Sequence, residues 1–266
     1  MKQVETAVVV RNELIAQGIY LMTLYAPEIT AKSRTGQFVN LEVPHDGTRI
    51  LKRPISISRI DADSGTMDLI VQVIGGGTLC VCEIGKGEPI RIVGPLGNGF
   101  LRFEQTEHLW LVGGGVGIAP LLMAAEAYKE HNPNGRLSVY LGYANRDKAY
   151  YDHAFDPYAE EVIIATEDGS LGHSGYVTPL MEKAIDAGQF QSLVLACGPT
   201  PMLKAVQAIV NPRGIPTQLS LEARMGCGIG ACLCCVTKIG TPDDWEYKRV
   251  CANGPVFYSQ EVLFDE

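Results

Sequence analysis

Hydrophobic and polar positions divide the chain into two regimes and a cysteine-dense end. From Thr6 to about Arg102, short β-type runs recur at Ala7-Val8-Val9-Val10, Ile19–Leu24, Phe38–Val43 and Met67–Val73, with Gly, Pro and Asp between them. Such spacing reads as a small antiparallel barrel or sandwich. One short helix interrupts it, roughly Gly77 to Ile84, before Ile90–Val93 returns as strand and Gly94–Gly99 turns. After Phe103 the pattern becomes strand–helix alternation, which implies a parallel sheet. Strands are expected at His108–Val112, Leu137–Gly142, Val162–Ala165 and Ser192–Ala196, and helices at Pro120–Glu130, Val177–Ala187 and Pro201–Ile209. Asn211-Pro212-Arg213-Gly214 ends the last helix, and a third module is expected from near Thr217.

That third module is the most specific stretch of the sequence. Cys227, Cys232 and Cys235 follow the spacing C-x4-C-x2-C, and Cys251 stands fifteen residues beyond Cys235. This is the plant-type [2Fe–2S] pattern. A loop that wraps inorganic sulfide needs small residues with free backbone angles, which Gly226, Gly228, Gly230 and Ala231 supply. Four thiolates also suit a structural zinc ion, although zinc modules usually pair two short-spaced cysteine couples. Cys234 breaks the spacing and is read as a non-ligand.

Composition narrows the field. A chain of 266 residues with 46% hydrophobic and 20% charged content is globular and long enough for several modules. The net charge of −8 argues against nucleic acid and against anionic lipid as partners. No apolar run approaches the 18 or so residues of a membrane span, and Met1–Arg11 lacks the pattern of a secretory signal, so a cytoplasmic protein is expected. Eight cysteines in that compartment point to metal or redox chemistry rather than disulfides. Cys80 and Cys82, near the start of the short helix, read as small hydrophobes. His45, His108, His131, His153 and His173 show no ligand spacing and are read as surface or loop residues, and no G-x-S-x-G elbow occurs.

Three further motifs carry chemistry. Gly113-Gly114-Gly115-Val116-Gly117-Ile118-Ala119-Pro120 follows a strand and opens a helix, where glycines and free N–H groups suit a pyrophosphate and proline suits the first turn. It is not a strict G-x-G-x-x-G, since Ile118 replaces the third glycine. Arg53-Pro54-Ile55-Ser56, expected between barrel strands, offers a phosphate partner and a hydroxyl for a flavin edge. Ile74-Gly75-Gly76-Gly77-Thr78 offers a second glycine-lined helix start. Each motif alone could be an ordinary turn.

Their order, with Cys197-Gly198-Pro199, resembles the ferredoxin–NADP reductase superfamily. Glu222–Cys232 and Lys248–Phe257 extend the resemblance over nearly the whole length to the electron-transfer subunits of dihydroorotate dehydrogenase B. The resemblance implies an FAD-binding β-barrel at 1–102, an NAD-binding α/β domain at 103–216 and a [2Fe–2S] module at 217–266. It implies FAD on Arg53, Pro54, Ile55, Ser56, Ile70, Val71, Gln72, Gly77 and Thr78. NAD would lie between Gly113, Gly114, Gly115, Val116, Gly117 and Pro120 on one side and Gly198 and Pro199 on the other. Cys197 and Ser56 would stand at the reacting flavin and nicotinamide, and Cys227, Cys232, Cys235 and Cys251 would hold the cluster. Cys197 can equally be a small buried residue at a strand end. Ile55 departs from the superfamily, where many members place an aromatic on the flavin.

What the family does would then be expected here. Electrons from the FMN of a dihydroorotate-oxidising catalytic subunit would pass through the cluster and FAD to NAD⁺, in pyrimidine biosynthesis, within a heterotetramer of two chains of each kind. Two other readings remain open: the small subunit of a ferredoxin- or sulfide-linked NAD(P)H oxidoreductase, and a zinc-stabilised or redox-sensing nucleotide-binding module without turnover. Asn145-Arg146-Asp147 leaves NAD against NADP open, because it contains both an acid suited to a ribose hydroxyl and an arginine suited to a phosphate.

Overall fold

A computed structural model describes residues 2–44, 50–189 and 192–264. The first six strands are β1 (Gln3–Ala16), β2 (Ile19–Tyr25), β3 (Phe38–Leu41), β4 (Arg53–Asp61), β5 (Thr66–Gln72) and β6 (Pro89–Leu96). They form a closed barrel in the order β1-β2-β5-β4-β3-β6, every neighbouring pair antiparallel. Closure removes free sheet edges. Alternation fills the interior: on β1 Ala7 and Val9 are buried while Val8 and Val10 face out. The one-turn helix α1 (Pro27–Thr30) and α2 (Gly76–Cys82) interrupt the barrel. Cys80 and Cys82 lie in the second half of α2 rather than near its start, and Cys82 is buried.

Arg53–Ser56 opens a barrel strand, β4, instead of lying between strands. The signal was hidden because Pro54 and two serines interrupt the apolar alternation. At a register shift between Ile57 and Arg59 two consecutive residues are buried on opposite sides, Ile57 in the barrel core and Ser58 against the nucleotide module.

The second module runs β7 (His108–Gly114), α3 (Ala119–His131), β8 (Arg136–Tyr143), β9 (Glu161–Thr166), β10 (His173–Ser174), α4 (Thr178–Asp186), β11 (Leu193–Cys197), α5 (Thr200–Val210) and β12 (Thr217–Ser220). With β15 (Val256–Tyr258) they give a seven-stranded sheet in the order β10-β9-β8-β7-β11-β12-β15, parallel except at β15. The chain steps outward from β7 to β10, then returns to the other side of β7 as β11. The strand order therefore reverses between β7 and β11, and a ligand crevice is expected at their carboxyl ends.

His108 is a correction to the surface reading of the histidines. It is buried on central strand β7, with Nε2 2.9 Å from Ser138 Oγ and accepting from Trp110 Nε1 at 3.1 Å. A strand covered on both faces buries whatever it carries, and a buried polar ring must be hydrogen-bonded. His131, His153 and His173 are exposed, and His45 lies outside the described residues.

The cysteine-rich end is stitched into this sheet. Thr217, where a boundary was expected, begins β12, paired with β11, and β15 returns to cover its edge. Between them lie β13 (Val236–Gly240) and β14 (Trp245–Arg249), joined by β16 (Val262–Leu263) in a small antiparallel sheet. Among the described residues no helix is long and apolar enough to cross a membrane.

Candidate flavin, nucleotide and cluster sites

The barrel and the parallel sheet meet along β4 and α3. Ser58 Oγ donates to the Ala119 carbonyl at 3.0 Å, and Arg59 pairs with Glu126 at 2.9 Å. Beside that seam opens a cleft of about 240 Å³. Its barrel wall is Arg53, Pro54, Ile55, Ser56, Ile70, Gln72 and Thr78. Val116, Ala119 and Cys197 face that wall from the carboxyl ends of β7 and β11, at the predicted crevice. The third side comes from the start of the cysteine segment, Glu222, Ala223 and Met225. Val71 is the exception among the expected flavin residues: its side chain fills the barrel core, so only its backbone can face outward.

Local chemistry shapes each wall. The Arg53 guanidinium lies over Gly77, where any Cβ would collide with it, and Nη1 donates to the Leu51 carbonyl at 2.6 Å. Thr78 Oγ1 accepts from the Ile74 N–H and donates to the Gly75 carbonyl, both at 3.0 Å, which closes the turn ahead of α2. On the opposite wall a Cβ at Gly117 would run into the Cys197 carbonyl, so glycine lets the two nucleotide turns touch. Pro120 stands in the first turn of α3, and Pro199 caps α5. Tyr150, which the sequence did not single out, is buried and donates its hydroxyl to the Gly115 carbonyl at 3.0 Å, anchoring the same turn. Arg146 is held against the Ser170 carbonyl through Nε at 3.1 Å.

Cys197 is 2% exposed. Burial pushes its thiol up to about 12, the nearby Glu222 charge adds to the rise, and a Ser220 hydrogen bond opposes it. It is therefore a neutral thiol at physiological pH, unable to act as a nucleophile. Glu222 presents surface to the cleft yet is surrounded by protein at longer range, and this burial raises its carboxyl above the ordinary range. Glu222, Phe38 and Met225 were missed as cleft residues. Their sequence neighbours pointed to the cluster or to a barrel strand, and only the packing of three modules shows that they share a wall.

The cysteine loop is built around sulfur. Cys227 Sγ accepts backbone N–H groups from Ile229 at 3.4 Å and from Ala231 and Cys232 at 3.3 Å. Burial works against its thiolate, but the Cys232, Ile229 and Ala231 N–H groups and the Cys232 thiol outweigh it and bring the pKa down to about 6. Cys251 goes the other way, up to about 12, through burial first and then its contact with Cys235. Backbone N–H groups link the thiols pairwise, Cys227 with Cys232 in both directions and Cys251 with Cys235, while the Cys227 charge also reaches Cys251. Two couples of soft thiolate donors with N–H groups aimed at sulfur fit a two-iron cluster better than a mononuclear zinc site. Cys234 is exposed, its Sγ 3.5 Å from the Arg224 carbonyl.

Comparison with known proteins agrees module by module. Residues 6–100 match the oxidoreductase FAD-binding domain and 111–208 the oxidoreductase NAD-binding domain. Residues 222–263 match the iron–sulfur cluster binding domain of dihydroorotate dehydrogenase B. A solved structure reported as NADH-dependent reduced ferredoxin-NADP oxidoreductase, in a study of flavin-based electron bifurcation, superposes with a TM-score of 0.86 at 29% identity. The match covers 97% of this chain and 90% of that one. The dihydroorotate dehydrogenase B (NAD(+)) electron transfer subunit of Geobacillus sp. (strain WCH70) is 40% identical over 99% of both chains. That of Fusobacterium nucleatum subsp. nucleatum is 37% identical over 98% of both. With that similarity running through all three modules, the chain belongs to the family of dihydroorotate dehydrogenase B electron transfer subunits.

Proposed function

We propose that this chain relays electrons from an FMN-containing, dihydroorotate-oxidising catalytic subunit to NAD⁺, serving pyrimidine biosynthesis in the cytoplasm as a heterotetramer of two chains of each kind. The observation that carries it is the cleft whose three sides come from the barrel, the nucleotide sheet and the cysteine segment. A relay needs those three sites within electron-transfer reach of one another.

Flavin and cluster, when bound, supply the conversion between hydride and single-electron chemistry. The chain's residues do the rest. Arg53, fixed over Gly77, offers a rigid cation to the flavin's phosphates, and Thr78 holds the adjoining turn. Ser56 and the backbone of Ile70, Val71 and Gln72 orient the ring's polar edge. Phe38 and Met225 add apolar cover beside Ile55, which has no ring to stack on the flavin. Gly113–Gly117 and Pro120 with Gly198 and Pro199 hold NAD, while neutral Cys197 positions the nicotinamide against the flavin without adding charge. Cys227, Cys232, Cys235 and Cys251 hold the cluster.

The test is a visible spectrum with flavin, iron and sulfide analysis of the purified protein, followed by anaerobic NADH. FAD, two irons and two sulfides per chain and bleaching by NADH are expected. A colourless zinc protein, or bleaching that requires the cluster, would overturn the reading. Co-purification with a ferredoxin- or sulfide-linked partner would favour the small subunit of such an NAD(P)H oxidoreductase instead.

A further inference from the structure

The barrel strand β3 carries a residue that the fold alone does not explain. Val39 and Leu41 point into the barrel core, as strand alternation requires. Phe38, on the opposite face, packs in the cluster of side chains that includes Cys235, Val250 and Cys251. Asn40 shares that face, so it too points out of the barrel toward the cysteine module. It is 1% exposed, and neither its Oδ1 nor its Nδ2 has a hydrogen-bond partner among the described residues. The amide is wedged against the cysteine loop at Gly228: a Cβ there would lie 3.2 Å from Asn40 Cγ and would collide with Nδ2. Gly228 has φ of +68° and immediately follows Cys227. Across the ladder, Asn40 stands directly opposite Pro54 of the cleft wall.

Burying an amide with both ends unpaired is costly, and an apolar side chain of similar size would fill the same space without that cost. Nδ2, the end that lies against the cysteine loop, therefore calls for an acceptor delivered from that side. Thiolate and sulfide sulfurs are acceptors, and hydrogen bonds to them raise a cluster's reduction potential.

We propose that Asn40 Nδ2 donates a hydrogen bond to the sulfur of the Cys227 side of the cluster, so that the flavin-bearing barrel itself sets the potential of the cluster it receives electrons from. The inference rests on the four-cysteine assignment above. It places the donor on the module that binds flavin, so docking of the cysteine loop onto the barrel and tuning of the cluster are one event.

The test compares the wild type with Asn40→Leu and Asn40→Asp, each first assayed for iron, sulfide and flavin. Loss of cluster from the wild type would sink the four-cysteine assignment and not this inference specifically. With cluster present, potentiometric titration followed by the reduced-state paramagnetic signal should show a lower potential in Asn40→Leu and a lower one still in Asn40→Asp. The flavin potential should stay unchanged. Fe–S stretching bands that shift in D₂O in the wild type should lose part of that shift in Asn40→Leu. Should both variants fail to fold, wild-type protein carrying ¹⁵N in its asparagine amides serves alone: a nitrogen coupling to the reduced cluster is expected. An unchanged cluster potential, as a bridging water partner would produce, overturns the proposal. So does a shift confined to flavin, or absence of the ¹⁵N coupling.

Discussion

At the scale of single residues, the cysteines divide by environment. Cys227 and Cys232 lie together, as do Cys235 and Cys251, whereas Cys234 is exposed and turned to the Arg224 carbonyl. Replacing Cys227, Cys232, Cys235 or Cys251 by Ser should abolish the reduced-state paramagnetic signal, and Cys234→Ser should keep it. Loss of the signal in Cys234→Ser with its retention in Cys235→Ser would show that the register of the loop is wrong. Cys197 makes a separate prediction about pH. An unfolded thiol titrates near 8.5, and the folded one is pushed up to about 12 by burial. Above the lower value the unfolded chain releases a proton that the folded chain keeps, so this contribution to stability is whole below it and is lost as pH rises toward the higher one. Cys197→Ala should therefore lose less stability than the wild type on going from neutral to strongly alkaline pH, measured by thermal melts. An equal alkaline fall in both proteins would mean that the thiol is not held neutral.

At the scale of elements, what was legible followed from periodicity and what was hidden followed from packing. Strands β7, β8, β9 and β11 and the helix opened by Pro120 announced themselves because continuous apolar runs alternate with helical ones, whereas the two-residue β10 and the polar-edged β12 did not. β4 did not, because Pro54, Ser56 and Ser58 break its alternation, and Ser58 is buried only to bond the Ala119 carbonyl. The cysteine spacing pointed to an iron–sulfur module, as residues 222–263 bear out, since most of its loop is contiguous in sequence. Glu222, Tyr150 and Asn40 were not, since their significance comes from elements far apart in the chain that meet only on folding. The two nucleotide turns show this most clearly. The glycine-rich turn read as a pyrophosphate cradle, yet Gly117 is needed first because its backbone touches the Cys197 carbonyl. Gly117→Ala must push the turns apart, and overpacking of this kind costs about 1–3 kcal/mol. If that strain falls on the nucleotide-bound geometry, NADH binding should weaken roughly tenfold or more, with the flavin spectrum and the cluster signal unchanged. Stopped-flow reduction at varied NADH concentration separates the two effects, and unaltered NADH affinity would show that the turns move apart without consequence.

At the scale of the whole molecule, the described residues are occupied by one antiparallel barrel, one seven-stranded sheet and a small cysteine-bearing sheet. None of these is the (β/α)₈ barrel of about 250 residues that an orotate-forming FMN site would call for. The 266-residue chain on its own should therefore reduce artificial dyes with NADH but leave dihydroorotate untouched. The contact for a partner belongs near the cluster, because a carrier of single electrons works only where the other flavin can approach. Around the loop, Ile229 and Leu233 are 45% and 72% exposed, an apolar pair beside the thiols. Leu233→Asp should then weaken association with the catalytic subunit, seen as a lower yield of complex in gel filtration. Cluster signal and NADH–dye activity should persist, since the side chain projects into solvent. Dihydroorotate-dependent NAD⁺ reduction should appear only on adding the catalytic subunit and should fall in proportion to the complex lost. Dihydroorotate turnover by the pure chain would sink the relay. Full complex formation by Leu233→Asp would move the docking face away from the cluster loop, and with it the shortest path between the two flavins.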